Sequence, residues 1–420
     1  MSTIYWLGTA DSVAQVATTT FATYDVTTTR IVTIGGVAVS AADSGGTLTA
    51  ALTAFAVVLN ASTNPYFAAI TWTSNATQII GTADTAGCPF VFAGSVSGGT
   101  GTCSNAYTVS TASAGPNHWD TATNWSGGAV PVNSDIVIIA NNSVAICWGL
   151  AQTAVTLTSL RIDGSYTGRI GLRYTAFATA ADGATYSATT KKEYRDTYLA
   201  IKTPLLDIGE DFEPGSPSGS GRIKIDLSTT AAQVTIHGTA SSSSDTGRAA
   251  VRLLANSSTT DIYVRYAPGG VGIAADVPSE TSTIGDVNVS EDGTTSEVYT
   301  SAGVTLTNWI QRGGTNIMDA AATVTAVTVD GGALTLEGDY TITTLTVNDG
   351  DVVDNHIKTS GNSVTTAALN GGEVDWAQSL EVRTVATVNM DVGATFRRNS
   401  ALVITTLNEP AELCSVTTTR

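Results

Sequence analysis

The sequence predicts a mainly β protein, with a small N-terminal α+β module followed by a β-solenoid, read as a right-handed parallel β-helix. Three observations carry that expectation. Short β-branched segments open at Ile284, Val304, Val324, Ile342, Val364, Val385 and Ile404, with spacings of 20, 20, 18, 22, 21 and 19 residues. A period near 20 with β-branched strands is the pattern of stacked rungs, none of which can bury its apolar face alone. Turn-prone runs follow several of the segments, as in Asp330-Gly331-Gly332, Asn348-Asp349-Gly350 and Asn370-Gly371-Gly372. The composition is also unusual: charged residues are 13 %, while apolar residues are 42 %. That apolar share is too high for disorder, and the low charge suits rigid β-structure with Thr-covered faces.

Residues 1–105 read as the α+β module. Arg30 to Ile34 and Val37 to Ser40 flank Gly35-Gly36, a two-residue hairpin signal. Ser44-Gly-Gly-Thr47 opens a helix over Leu48 to Asn60. Leu48, Leu52, Phe55 and Leu59 fall at helical spacing and give it one buried stripe. Ala69 to Thr73, Gln78 to Gly81 and Phe90 to Ala93 follow as strands. Gly94 to Thr102 closes the module as a flexible loop. Tyr5-Trp6-Leu7 is an apolar cluster near the start, either an aromatic anchor for a neighbouring molecule or packing on its own module.

The module resembles small modules of tailed-bacteriophage virion structural proteins. The resemblance rests on Ala14-Gln-Val16, Thr33-Ile-Gly-Gly36, the helix end Leu59-Asn60-Ala61-Ser62, Ile70-Thr71 and Gly81 to Gly87. It covers about a quarter of the chain and implies a role in virion architecture with no catalysis. Cys88 stands where that pattern has a small apolar residue.

Residues 106–150 form a transition. His118-Trp119-Asp120, Asn124-Trp125 and Val130-Pro131 precede the strand Asp135 to Ile139. The run resembles segments that open β-solenoids in bacterial and phage surface proteins. Trp119 and Trp125 are candidates for closing the exposed first rung; the alternative is an aromatic sugar platform. Residues 151–420 are the stem, with polar insertions at 176–197 and 210–221. Lys191, Lys192 and Arg195 make a rare basic patch in the first insertion, a candidate contact for an acidic neighbour or a solvated loop.

The net charge of −17 opposes binding to nucleic acid and to anionic membranes. No apolar run reaches the length of a membrane-spanning helix, and the first residues lack a secretion signal, which reads as cytoplasmic synthesis. Cys88, Cys103, Cys147 and Cys414 match no zinc or redox spacing. Cys88 and Cys103 are a possible disulfide, with thiols expected for assembly in the cytoplasm. His118, His237 and His356 have no metal-ligand spacing, and no nucleophile elbow or phosphate loop is present. No cofactor is expected.

One acidic constellation fits chemistry. Asp351 and Glu373 each lie nine residues into their repeat, so they should occupy adjacent rungs, near Asp354, Asp375 and His356. Stacked strands are about 4.8 Å apart, close to the separation of a retaining glycosidase pair. The competing reading is a solvated acidic row. The sequence therefore points to a non-enzymatic capsid decoration or cement protein, assembled in the host cytoplasm into the virion. Its partners would be its own copies, as a homotrimer packed through rung edges and Thr-rich faces, and the major capsid protein or other virion proteins. The alternatives are a tailspike or tail-fibre protein acting on host glycan, and a cell-surface adhesin or surface-layer component.

Overall fold

The structure is a computed structural model that describes residues 2–171, 198–211, 223–239, 250–274, 280–289, 296–319, 323–355, 362–378, 383–409 and 415–418. Among these residues the stem is a β-solenoid of two parallel sheets, one of 13 strands and one of 12. Each rung gives one strand to each sheet. Thr323–Val329 lies in the first sheet, and Ala333–Leu336 lies in the second. The chain then returns to the first sheet as Thr341–Val347.

Side chains stack from rung to rung. Val324 pairs with Ile342, Ile342 with Val364, Val364 with Val385 and Val385 with Ile404. The inward residues of Thr323–Val329, which are Val324, Val327 and Val329, are fully buried. Thr325 and Ala326 both face outward between them, so strict alternation breaks at a bend in the strand. Ile284 faces Leu306, not Val304, and Val304 faces Ser282. The ladder therefore enters that rung two residues later than the β-branched spacing suggests. Leu306 is as buried as its neighbours, and burial sets the register where β-branching does not mark it.

The Gly turns are stacked as well. Gly332, Gly350 and Gly372 have φ of 76°, 83° and 67°. A Cβ on Gly350 would meet the carbonyl of Gly332 in the rung below. Only glycine combines that left-handed backbone with such close approach. Beside the turns, Asn370 Nδ2 donates to Asn348 Oδ1 and Asn348 Nδ2 donates to Asp330 Oδ1, both at 2.7 Å.

The module has two antiparallel sheets. One runs Ile70–Ser74, Gln78–Ala83, Val16–Ala22, Thr102–Thr111, and the other runs Val37–Ala42, Thr29–Ile34, Ala93–Ser97. Helix Leu48–Asn60 buries Leu52, Phe55 and Leu59 as its spacing requires, and the Thr47 side chain accepts from Ala50 N. Asn60 pins the helix end to the sheet, donating to Trp72 O and accepting from Trp72 N. Two strands escaped the sequence reading, Val16–Ala22 and Thr102–Thr111. Gly94 to Ser97 belongs to a strand and not to a loop, while Phe90 and Phe92 are core residues ahead of it. Cys88 and Cys103 are unbonded thiols.

The boundary between module and stem differs from the expected one. Thr3–Tyr5 is the edge strand of the first stem sheet, parallel to Ile136–Ile139. The module is thus inserted between two stem strands, and residues 2–7 do not belong to it. Its last strand also runs to Thr111, beyond position 105. A three-residue strand carries too little periodicity to be recognised from sequence. The insertion at 176–197, with Lys191, Lys192 and Arg195, lies outside the described residues, as do most of 210–221, His356 and Cys414.

Candidate functional site

Three places bring chemically capable residues together. The first is the beginning of the stem. Trp6, Trp119 and Trp125 are buried in the stem core. Trp125 meets Trp6 edge-on at 4.9 Å and Trp119 at 4.6 Å between ring centroids. Trp6 Nε1 donates to Val144 O, and Trp125 Nε1 donates to Trp119 O. Trp6 is therefore not an exposed anchor for a neighbour, and it packs on the stem, not on the module. Its flanking residues differ: Tyr5 and Leu7 are 46 % and 40 % exposed. Trp119 and Trp125, with no exposed ring face, offer no platform to a sugar. The three rings pack in the core beside Thr3–Tyr5, the edge strand of the first stem sheet, and their large apolar area is kept from water there.

The second place is the joint between module and stem. Val13 N donates to Ala114 O at 2.8 Å, and Gly87 N donates to Val13 O at 3.0 Å. His118 sits in this joint, almost fully buried. Its Nε2 is 2.9 Å from Gly87 O and 3.3 Å from Ser113 Oγ, and its Nδ1 is 3.5 Å from Asp120 Oδ1. Serine, histidine and aspartate are thus joined in the order of a hydrolase triad, within eight residues of sequence. The hydrogen bonding argues against that chemistry. A carbonyl oxygen at 2.9 Å requires Nε2 to carry a proton and donate, whereas a general base must present a bare nitrogen to the serine. The group ties a module turn to the stem. Short-range Ser, His and Asp spacing was the signal available for it, but only the fold brings Gly87 to it.

The third place is the acidic column of the second sheet. Asp351 and Glu373 are register partners on adjacent rungs. Asp351 is exposed, and Glu373 is held by Arg397, with Nε to Oε1 at 3.1 Å. Of the nearby acids, Asp375 shares this side of its strand, between the core residues Val374 and Trp376, but is covered, whereas Asp354 faces the other way. Asp375 is buried and accepts from Ala377 N and Gln378 Nε2. Asp354 points into the core, where it meets Arg383 and Tyr340. Trp376, the aromatic closest in sequence to Glu373, is also a core residue. Among the described residues the column presents two carboxylates, one already neutralised by a guanidinium, and the neighbouring aromatics Trp376 and Phe396 lie in the core.

Among the described residues no group of three or more His, Cys, Asp or Glu is placed to hold a metal ion, and no helix is long and apolar enough to cross a membrane. Comparison with protein-family models, with curated proteins and with solved structures returned no match. The fold at this point defines a class, a parallel β-solenoid carrying an inserted α+β module.

Proposed function

We propose that this chain is a non-enzymatic structural protein of a tailed-phage virion, a decoration or cement protein on the head surface that acts as a homotrimer. The observation that carries the reading is the division of the molecule. A compact module is mounted at one end of a repetitive stem and is held by two chain crossings and by the His118 joint. A docking element needs such a mount, because a lattice site held many times over tolerates modest contacts only if each is well positioned. The resemblance of the module to phage virion modules agrees with this role.

The test is binding of the purified chain to particles stripped of the native protein. The intact chain should saturate the lattice. A variant in which residues 13–113 are replaced by a short linker should keep its β-rich circular dichroism and fail to bind. Full occupancy by that variant would place docking on the stem. Deleting residues 1–105 would be a poorer test, since it also removes Thr3–Tyr5 and Trp6 from the first rung.

A second reading has one observation in its favour, the neighbouring Asp351 and Glu373. A tailspike that cuts host glycan would release reducing sugar from envelope polysaccharide. Loss of that release in Asp351→Asn with Glu373→Gln would establish the tailspike and remove the decoration protein.

A further inference from the structure

The outward face of the first sheet carries no charge over its last six rungs. From Val304 to Asn408, every outward position on this sheet is Thr, Ser, Asn, Ala, Val or Ile. The residues stack in columns. One column runs Thr305, Thr323, Thr341, Ser363, Thr384 and Val403, with successive members paired from Thr323 onward. A second runs Thr344, Thr366, Thr387 and Thr406. The only charged side chain in these strands, Arg383, points into the core. The contrast with the rest of the stem is sharp. The second sheet shows Asp351, Glu373 and Arg397 on its outward face, and the turns show Asp330, Asp349 and Asp391.

We infer that this face is where copies of the chain meet. The chain carries a net charge of −17, so two copies repel each other at most approaches. An uncharged face removes that repulsion where it would be greatest, at contact distance. Threonine suits the role, because its χ1 is already restricted on a strand and its burial orders little that is free. Its hydroxyl can exchange water for a hydroxyl across the contact, and its methyl adds apolar area. The size is adequate. Six strands at about 4.8 Å spacing, each about seven residues long at about 3.3 Å per residue, make a footprint on the order of 650 Å² per copy. Around a three-fold axis each copy shares this face between its two neighbours, and the three faces together bury on the order of 1,950 Å², within the range of stable assemblies.

This inference rests on the homotrimer in the proposed function and names the surface that builds it. The experiment is sedimentation of the full chain at micromolar concentration. Wild type should sediment at three times 42.9 kDa. Thr325→Glu with Thr365→Glu places two charges on exposed positions two rungs apart and should reduce the mass to a single chain. The corresponding Thr325→Lys with Thr365→Lys should do the same. Mixing the two variants should restore association, which a merely structural effect of either pair would not produce. Wild type sedimenting as a monomer would overturn the inference and the homotrimer together. Glu and Lys variants that remain trimeric would overturn the inference alone, leaving particle binding to judge the proposed function.

Discussion

Arg383 meets Asp354 inside the stem, Nη1 to Oδ2 at 2.9 Å, with both side chains buried. Tyr340 donates its hydroxyl to the same carboxylate oxygen at 2.6 Å. Burial, and next the Asp354 carboxylate, push the Tyr340 hydroxyl well above the ordinary tyrosine range. Such a pair adds little over a well-packed apolar replacement, whereas one member left alone is costly. Arg383→Met should destabilise the protein by roughly 3–5 kcal/mol, and Asp354→Leu added to it should recover most of that loss. Calorimetric midpoints of the single and double variants decide the matter; equal midpoints would mean that the pairing contributes nothing.

The glycine turns give a second expectation. At Gly350 an added Cβ meets the rung below, with Gly331 C at 2.8 Å, and the backbone is left-handed. At Gly393 the backbone is also left-handed, with φ of 92°, but nothing lies within 4 Å. Gly393→Ala therefore carries only backbone strain, about 1 kcal/mol. Gly350→Ala adds overpacking against main chain and should cost at least about 2 kcal/mol more. Similar thermal shifts in the two variants would count against a steric role for the stacked turns.

Asp25 couples the module to pH. Its carboxylate accepts from the N and Oγ1 of Thr27 and from the N and Oγ1 of Thr100. The Thr27 amide, then the Thr27 hydroxyl and the Thr100 groups, hold its pKa well below the usual carboxylate range. A depressed carboxylate contributes stability that is fully present above its unfolded pKa of about 4 and is lost as pH falls through the folded value. The hydrogen-exchange protection of the Thr100 amide should hold at pH 5 and decline steadily below about pH 4. In Asp25→Asn that decline should be absent. An unchanged acid profile in the variant would assign it to other groups.

At the start of the stem, Trp6→Ala removes a buried ring that touches Trp125 and should cost about 3–5 kcal/mol. Tyr5→Ala and Leu7→Ala, on exposed side chains, should stay within roughly 1 kcal/mol. Tryptophan emission on heating follows all three. If Tyr5 or Leu7 proves as costly as Trp6, the burial difference between them has no energetic meaning.

The solenoid was legible because burial repeats. Val324, Ile342, Val364, Val385 and Ile404 announce one column of the core by β-branching alone. Leu306, branched at Cγ and not at Cβ, lacks that signal, which Val304 carries two positions earlier. Second-sheet strands such as Val251–Leu254 were legible, but those of the last rungs, as Ala333–Leu336, were missed, because four residues are too few to display a period. Of the site residues, adjacency of Asp351 and Glu373 followed from the repeat length. What followed from neither repeat nor composition was direction. Asp354 lies three residues after Asp351, so alternation along Asp351–Asp354 turns it inward to Arg383, but that four-residue strand was not itself legible. Trp6 was misjudged for a related reason, since its partners lie more than a hundred residues away.

The insertion of the module between two stem strands bears on proteolysis. A single cut within residues 13–113 divides the chain into two fragments, and neither is set free. The shorter one stays attached through Thr3–Tyr5, whose backbone pairs with Ile136–Ile139, and through Trp6 packed edge-on against Trp125. The longer one keeps the remaining rungs. A module appended at one end would be shed by one cut in its tether, whereas this one is released only after a second, on the other side of the joint.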